Sequence, residues 1–254
     1  KSGHAEFLFD LAEQLLQQAP LFVEPQSKAA RGYLLVGAST IKPIKAMPVL
    51  FHTDQSSTDI YRCIIATALK QLLANIPGYF QHIDNPEYLH QIRVALRRMR
   101  SGLSLLQSTE QPIAISWDKS LRKIMQKLNE ARDWDVFEHE ILPDILKKMT
   151  SVSEHEPIQQ ATLATIQDIA IKTRQRTQKK LHHIEFTVLI LAIERHLMAL
   201  SSHTEMTTKE HIQQWATKIL EDRWQVLHRC CHGLTTQTGA KRNQERIEEK
   251  KMRY

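Results

Sequence analysis

The feature that most constrains the fold of this chain is a helical hydrophobic pattern, which continues almost unbroken from Ser56 to the C-terminus. Apolar residues recur there every three or four positions, as on the buried face of an amphipathic helix. The chain holds only 7 glycines and 9 prolines in 254 residues, so few positions favour a turn over a helix. Six or more helices with short connections predict an all-α bundle, and the 42% of hydrophobic residues can form a sizeable core.

The first 51 residues follow a different pattern. Thr40–Phe51 contains Pro43 and Pro48 between alternating apolar residues, which is typical of an extended linker or an edge strand. Upstream, Ser27–Val36 predicts a short helix, and Glu6–Gln18 predicts an amphipathic one whose apolar residues lie on or near one face: Phe7, Leu8, Leu11, Leu15 and Leu16. We therefore expect a short mixed unit over residues 1–51 and a helical domain over residues 52–254.

Start signals divide the helical part. Asn85-Pro86-Glu87 combines an N-cap residue, a proline at the first helical position and an acid near the positive end of the helix dipole. The signals predict helices over Asp59–Asn75, Pro86–Gln107, Ser116 (as N-cap) to Arg132 and loosely on to Pro143, Pro157–Leu200 with a break near His182–His183, Thr208 (as N-cap) to Leu234, and Lys241–Tyr254.

The helix from Pro86 carries an unusual basic stripe. On a wheel of 100° per residue, Arg93, Arg97 and Arg100 fall within about 80° of His90, whereas Arg98 lies on the other flank. The apolar face lies beside the stripe and consists of Ile92, Ala95, Leu96, Met99, Leu103 and Leu106. No acidic residue occurs between Glu87 and Glu110 to offset the arginines. A solvated basic face and an anion-binding wall explain this helix about equally well, and arginine forks match phosphate oxygens.

A second copy of the basic pattern favours the anion-binding wall. At an offset of 153 residues (246 − 93), Arg93 aligns with Arg246, and the pairing continues for Arg97 with Lys250, Arg98 with Lys251, Met99 with Met252 and Arg100 with Arg253. Asn243 stands where His90 would repeat, and Glu248 and Glu249 dilute the second stripe. A repeated basic helix indicates two half-domains that face one cleft.

These residues resemble a known family. Leu89-His90-Gln91-Ile92-Arg93-Val94-Ala95-Leu96-Arg97-Arg98-Met99-Arg100 is similar to the first signature of CHAD domains, the conserved-histidine α-helical domains. Lys250-Lys251-Met252-Arg253-Tyr254 resembles their second signature, and Ala131-Arg132-Asp133-Trp134-Asp135-Val136 resembles the Arg-Asp-x-Asp-Val segment between them. The resemblance implies two pseudo-symmetric antiparallel helical bundles around a basic cleft that binds inorganic polyphosphate. The chain stops within the second signature, so we expect residues 52–254 to be a CHAD-like domain truncated at its C-terminus.

The N-terminal part resembles a second family. Ser27-Lys28-Ala29-Ala30-Arg31-Gly32-Tyr33 is similar to the tail of a CYTH domain, the triphosphate tunnel domain that precedes CHAD in bacterial two-domain proteins. The catalytic Glu-x-Glu-x-Lys strand of that family does not occur in this sequence. We therefore expect residues 1–51 to be a CYTH-like tail with a linker, and no phosphohydrolase chemistry in this chain.

The candidate ligand-binding residues come from the stripe, its echo and the helix between them. On the helix that starts at Ser116, Arg132 lies on the apolar face with Leu121 and Leu128 and so points inward, which favours an ion pair with Asp133 or Asp135 over a ligand contact. Arg122 borders that apolar face. The proposed polyphosphate-binding residues are His90, Arg93, Arg97, Arg98, Arg100, Arg122, Arg132, Arg246, Lys250, Lys251 and Arg253. Weaker candidates come from the acid-free run Lys172–His183 and from the late helices: Lys179, Arg223, Arg229 and Asn243.

Composition limits the other function classes. A pI near 9.2 and a formal charge of +6 favour an acidic partner. Three cysteines cannot form a disulfide framework and fit a reducing cytoplasm, and no apolar run approaches the ~20 residues of a membrane span. His228 and His232 have a spacing that zinc can use, but further ligands at suitable spacing are missing, so we expect no metal and no cofactor.

Two alternatives to non-enzymatic polyphosphate binding stay open. The chain is an accessory or regulatory part of an inorganic triphosphatase, or it binds nucleic acid, although no recognition-helix or single-strand-binding motif occurs in it. The oligomeric state cannot be read from the sequence.

Overall fold

The computed structural model describes residues 5–37, 40–50, 57–107, 115–149, 156–200 and 209–231, together with Gln55, Arg246 and Glu249. The helices are α1 Ala5–Gln18, α2 Lys28–Leu35, α3 Ser57–Gln81, α4 Pro86–Gln107, α5 Ile115–Val136, a π-turn Phe137–Ile141, α6 Leu142–Met149, α7 Glu156–Leu181, α8 Ile184–Leu200 and α9 Lys209–Cys231. These ranges contain no strand, so the all-α prediction is confirmed. None of the described helices is both long and apolar enough to span a membrane.

Most of the predicted helix boundaries lie close to the observed ones. Asn85 caps α4, since its Oδ1 accepts the backbone N–H of Glu87 at 3.1 Å, and the chain breaks between α7 and α8 as expected. Two boundaries were wrong. Helix α3 does not end at Asn75 but passes Pro77, because Tyr79 continues its buried face, and α5 begins at Ile115, which places Ser116 inside the helix instead of at its N-cap. The Thr208 cap and most of the predicted helix Lys241–Tyr254 lie outside the described residues.

The core is centred on the antiparallel pair α3 and α4. The face of α4 that was predicted to be apolar is buried, with Ile92, Ala95, Leu96 and Met99 all fully enclosed. Helices α5 and α8 close this core from two sides, and α7 packs on α5. One cluster of buried residues therefore joins five helices, and α4 and α5 are fixed relative to each other by it. The pseudo-symmetry of two bundles stays a prediction, because the second basic helix lies largely outside the described residues.

Helix α1 packs through a face that the sequence did not indicate. The stripe Phe7, Leu8, Leu11 and Leu15 is exposed, with 66% of Phe7 accessible. The helix lies against α8, where Arg195 donates to Glu6, Asp10 and Glu13 at 2.6, 2.9 and 3.0 Å. The sequence predicted this amphipathic helix but not which side of it packs: one arginine with three carboxylates turns the polar side of α1 toward α8.

The segment 40–50, here named the strap, is extended and binds to α3 and α4 through its backbone. Asn75 accepts the N–H of Ile44 at 3.0 Å and donates to the Ile44 carbonyl at 2.9 Å, and Tyr88 donates to the Ile41 carbonyl at 2.9 Å. No strand forms in it, so of the two predictions the extended linker is correct. The strap attaches the N-terminal residues to the helical body.

Gly78→Ala is expected to destabilise the fold by about 1–3 kcal/mol. A Cβ at this position would lie 2.0 Å from Cε1 of Tyr88, whose buried ring joins α4 to α3 and the strap, and the ring has no space to retreat. Gly32→Ala in α2 is the matched control, because no atom of the described part of the chain lies within 4 Å of its Cβ position. Chemical denaturation measures both variants. Equal free energies of unfolding for the two would contradict this packing.

Candidate functional site

The basic stripe of α4 lies on the flank that α5 covers in part. His90, Arg93 and Arg97 are half-buried there, and Arg132 reaches them from α5. These four residues, from here on the basic cluster, are held by two helices that share the main core. The structure therefore brings Arg132, predicted from a separate motif, into electrostatic contact with the α4 stripe.

Arg93 is positioned by neutral oxygens. Its Nη1 donates to Oδ1 of Asn129 and, at 3.3 Å, to the carbonyl of Met125, both on α5. Burial lowers the pKa of Arg93, and the charges of Arg97 and Arg132 lower it further, against a smaller opposing effect from Asp133. The guanidinium is thus fixed in place beside other cations, which is the arrangement that an anionic ligand stabilises. No pattern in the sequence points to Asn129.

His90 lies in the same field. Burial lowers its pKa from the ordinary value of 6.5, and the charge of Arg132 lowers it further, while Glu87 acts in the opposite direction. Arg97 and Arg93 add to the lowering. His90 is therefore held neutral by its surroundings in the free protein and takes up a proton more readily when an anion joins the cluster.

Arg100 and Arg122 share a carboxylate. Asp118 accepts from Nε of Arg100 at 2.7 Å and from Nη2 of Arg122 at 3.0 Å. Burial opposes the ionisation of Asp118, but the hydrogen bond and charge of Arg100, with those of Arg122, lower its pKa below the ordinary value. The stripe has no acidic residue on its own helix, and Asp118 supplies one for Arg100 from α5.

Arg98 lies on the opposite side of α4, as the helical wheel indicated, and it contacts the strap. Its Nη2 donates to the carbonyl of Met47 at 2.9 Å and its Nη1 to Oε1 of Gln71 at 3.0 Å. Burial lowers its pKa. Its predicted place in the ligand site is at odds with this geometry, because both ends of the guanidinium are used to fix the strap on α3 and α4.

Arg132 forms an ion pair, but with a different carboxylate from the predicted ones. Its Nη2 lies 3.4 Å from Oε1 of Glu140, which belongs to the π-turn. Of the predicted partners, Asp133 raises the pKa of Arg93, and Asp135 pairs with the buried Arg174, although the charge of Arg132 also lowers the pKa of Asp135. The sequence could not indicate Glu140, since the pairing depends on the irregular turn.

Arg174 is a structural residue that the sequence placed among weak ligand candidates. Its side chain is 2% exposed, its Nε donates to Oδ1 of Asp135 at 2.8 Å, and its Nη2 donates to Glu138 in the π-turn. Burial would lower the pKa of Arg174, but the hydrogen bonds to Glu138 and Asp135 raise it, and burial raises the pKa of Asp135. Tyr79 donates to the Arg174 carbonyl, so this group joins α3, α5 and α7.

The other predicted site residues are dispersed. Lys179 is exposed on α7, Arg223 donates to Ser104 of α4 at 2.6 Å, and Arg229 donates to the Gln225 carbonyl within α9. Arg246 is exposed and helical. The remaining predicted residues lie outside the described part of the chain: Lys250, Lys251, Arg253, Asn243 and the zinc candidate His232. The second wall of the cleft therefore stays a prediction.

Comparison with known proteins identifies the family. The profile of the family described as "CHAD domain" matches residues 63–254. Among solved structures, the chain is similar to the crystal structure of the CHAD domain from the plant Ricinus communis, with a TM-score of 0.68 and 22% identity over 84% of this chain and 68% of that chain. No curated protein matches the sequence. Since the family profile covers more than half of the residues, this chain belongs to the CHAD domain family.

Proposed function

We propose that this chain binds inorganic polyphosphate, without chemical turnover, on the basic cluster. The observation that carries the proposal is the convergence of Arg93, Arg97, Arg132 and His90 from two helices onto one half-buried flank. Partial burial strengthens the interaction with an anion, because the local dielectric is lower than in water. In this proposal Arg100 and Arg122, which share Asp118, extend the same wall, and Arg246, Lys250, Lys251 and Arg253 supply the facing one.

A linear polyphosphate suits this arrangement better than a compact anion. The arginines are spaced along the axis of α4, so a chain of linked phosphates can contact them in succession with charge-assisted hydrogen bonds. Each arginine that replaces a counterion on the polyanion adds to the salt dependence of binding, as it does on nucleic acid.

The test is a titration with long-chain polyphosphate at two ionic strengths. We expect the affinity to fall by more than about tenfold between 50 and 200 mM salt, if the cluster replaces several counterions. Competition with RNA and duplex DNA separates the main alternative. Preference for either nucleic acid over polyphosphate would contradict the proposal.

We expect the affinity for polyphosphate to rise as the pH falls from 7 toward 5.5. In the free protein the pKa of His90 is lowered from 6.5, chiefly by burial and by Arg132, whereas a bound polyanion raises it. Binding therefore takes up a proton, and the gain in affinity is at most about tenfold for each unit by which the ligand raises this pKa. The same titration of His90→Gln measures the effect. A wild-type pH profile as flat as that of the variant would contradict this assignment.

We also propose that residues 1–51 are the tail and linker of a CYTH-like domain and that residues 52–254 are the CHAD-like domain. In this second candidate function, the polyphosphate site serves an inorganic triphosphatase in the cytoplasm. The observation that favours this second candidate is the attachment of the N-terminal residues to the helical body, through the strap and through Arg195. The test is whether a Glu-x-Glu-x-Lys strand precedes Lys1 in the reading frame. Turnover of tripolyphosphate by this chain alone would contradict the non-catalytic assignment.

A further inference from the structure

Glu140 is a carboxylate placed against the basic cluster from outside α4 and α5. Its Oε1 lies 3.4 Å from Nη2 of Arg132. The Arg132 side chain is 21% exposed and that of Glu140 is 62% exposed, so the carboxylate lies on the solvent side of the pair. An anion that binds Arg132 therefore competes with an exposed carboxylate already in contact with it.

The π-turn gives Glu140 this position. In a regular α-helix a residue eight positions after Arg132 would lie about 80° away around the axis. The N–H of Leu142 instead donates to the Phe137 carbonyl, five residues back, and the extra residue in this turn brings position 140 to about 20° from Arg132. Helical side chains lean toward the N-terminus, which directs the Glu140 carboxylate back toward Arg132.

The turn itself is anchored in the core. Glu138, inside the π-turn, accepts from Arg174, whose side chain is 2% exposed and which also binds Asp135 just before the turn. The buried arginine therefore holds this irregular helical turn in a defined conformation. It keeps Glu140 in register with Arg132 in the free protein.

We infer that Glu140 is an internal counter-anion, which occupies Arg132 in the free protein and which phosphate oxygens displace on binding. The inference rests on the proposed function, since it describes the regulation of the same site. Glu140 lowers the affinity for every ligand that uses Arg132. It thereby sets a threshold that a densely charged polyanion passes more easily than a weak anion does.

The experiment is a polyphosphate titration of Glu140→Gln in the full chain. We expect binding to become about two- to fivefold tighter, as the loss of an exposed competing charge implies. The gain should shrink as ionic strength rises, because salt screens the pair, whereas an altered turn conformation would not respond in this way. Glu130→Gln is the matched control: it removes the same charge from an exposed position of α5, about 160° around the helix from Arg132, and should change the affinity little.

A double-mutant cycle with Arg132→Gln completes the test. If Glu140 acts through Arg132, Glu140→Gln does not raise the affinity for polyphosphate when Arg132 is already replaced by Gln. Unchanged or weaker binding by Glu140→Gln, with Arg93→Ala/Arg97→Ala still impaired, would overturn the inference and leave the proposed function standing. A wild-type chain that binds no polyphosphate would overturn both. Glu140→Ala serves as a second variant, and thermal unfolding confirms that each protein is folded.

Discussion

Arg174→Met is expected to lower the free energy of unfolding by about 3–5 kcal/mol, the largest effect on stability that the structure indicates. The substitution keeps the volume but leaves Asp135 and Glu138 without their cation. Asp135 is buried, and its second oxygen has no hydrogen-bond partner among the residues that the structure describes. A buried carboxylate without a counter-charge must remain ionised at high cost or take up a proton.

Chemical denaturation of Arg174→Met measures this loss, and Arg176→Met is the matched control on the exposed side of α7. Adding Asp135→Asn to Arg174→Met should restore part of the stability, because it removes one of the orphaned charges. If Arg174→Met costs no more than Arg176→Met, the buried group does not join α5 to α7 as described.

The loss of stability in Arg174→Met should also rise with pH. Without Arg174, burial holds the pKa of Asp135 above its ordinary value, so the unfolded chain releases the proton before the folded one does. Stability is then retained at acid pH and is lost as the pH rises above the ordinary carboxyl value. The measurement is the free energy of unfolding of Arg174→Met between pH 4 and 7. If the difference in free energy of unfolding between Arg174→Met and wild type is the same at pH 7 as at pH 4, Asp135 does not titrate as a buried group.

Arg93→Ala with Arg97→Ala is expected to produce the largest loss of binding. Each charge-assisted hydrogen bond contributes about 1.5–3 kcal/mol, so removal of two arginines should weaken polyphosphate binding by on the order of 100-fold or more. Stability should change less, because both side chains are only half-buried on the flank of α4. The salt dependence should also become shallower, since fewer counterions are exchanged.

The sequence predicted the helical fold and the placement of His90, Arg93 and Arg97 on one flank of α4 for the same reason. A continuous 3.6-residue pattern determines helices, and the buried face of α4 then determines which arginines face its flank. His90, Arg93 and Arg97 lie in electrostatic reach of one another as that pattern required. The resemblance to the CHAD family was inferred from three short motifs, and the match over residues 63–254 confirms it.

The parts that the sequence did not predict depend on contacts between helices and on irregular backbone. Asp118 reaches Arg100 from another helix, and Glu140 reaches Arg132 only because a π-turn changes the register. Arg174 looked like one more solvated cation in a basic run, although it lies in the core. Composition and spacing report which face a residue occupies on its own helix, but they do not report which charge another helix places opposite it.

We propose that the basic cluster, and not the overall positive charge, holds polyphosphate. The most direct measurement is the polyphosphate affinity of Arg93→Ala/Arg97→Ala beside that of Lys147→Ala/Lys148→Ala, which removes the same charge from exposed positions of α6. We predict a loss on the order of 100-fold for the first variant and less than about threefold for the second, because salt screens charges that are exposed to solvent. Equal losses in the two variants, or an unchanged affinity in the first, would contradict the claim.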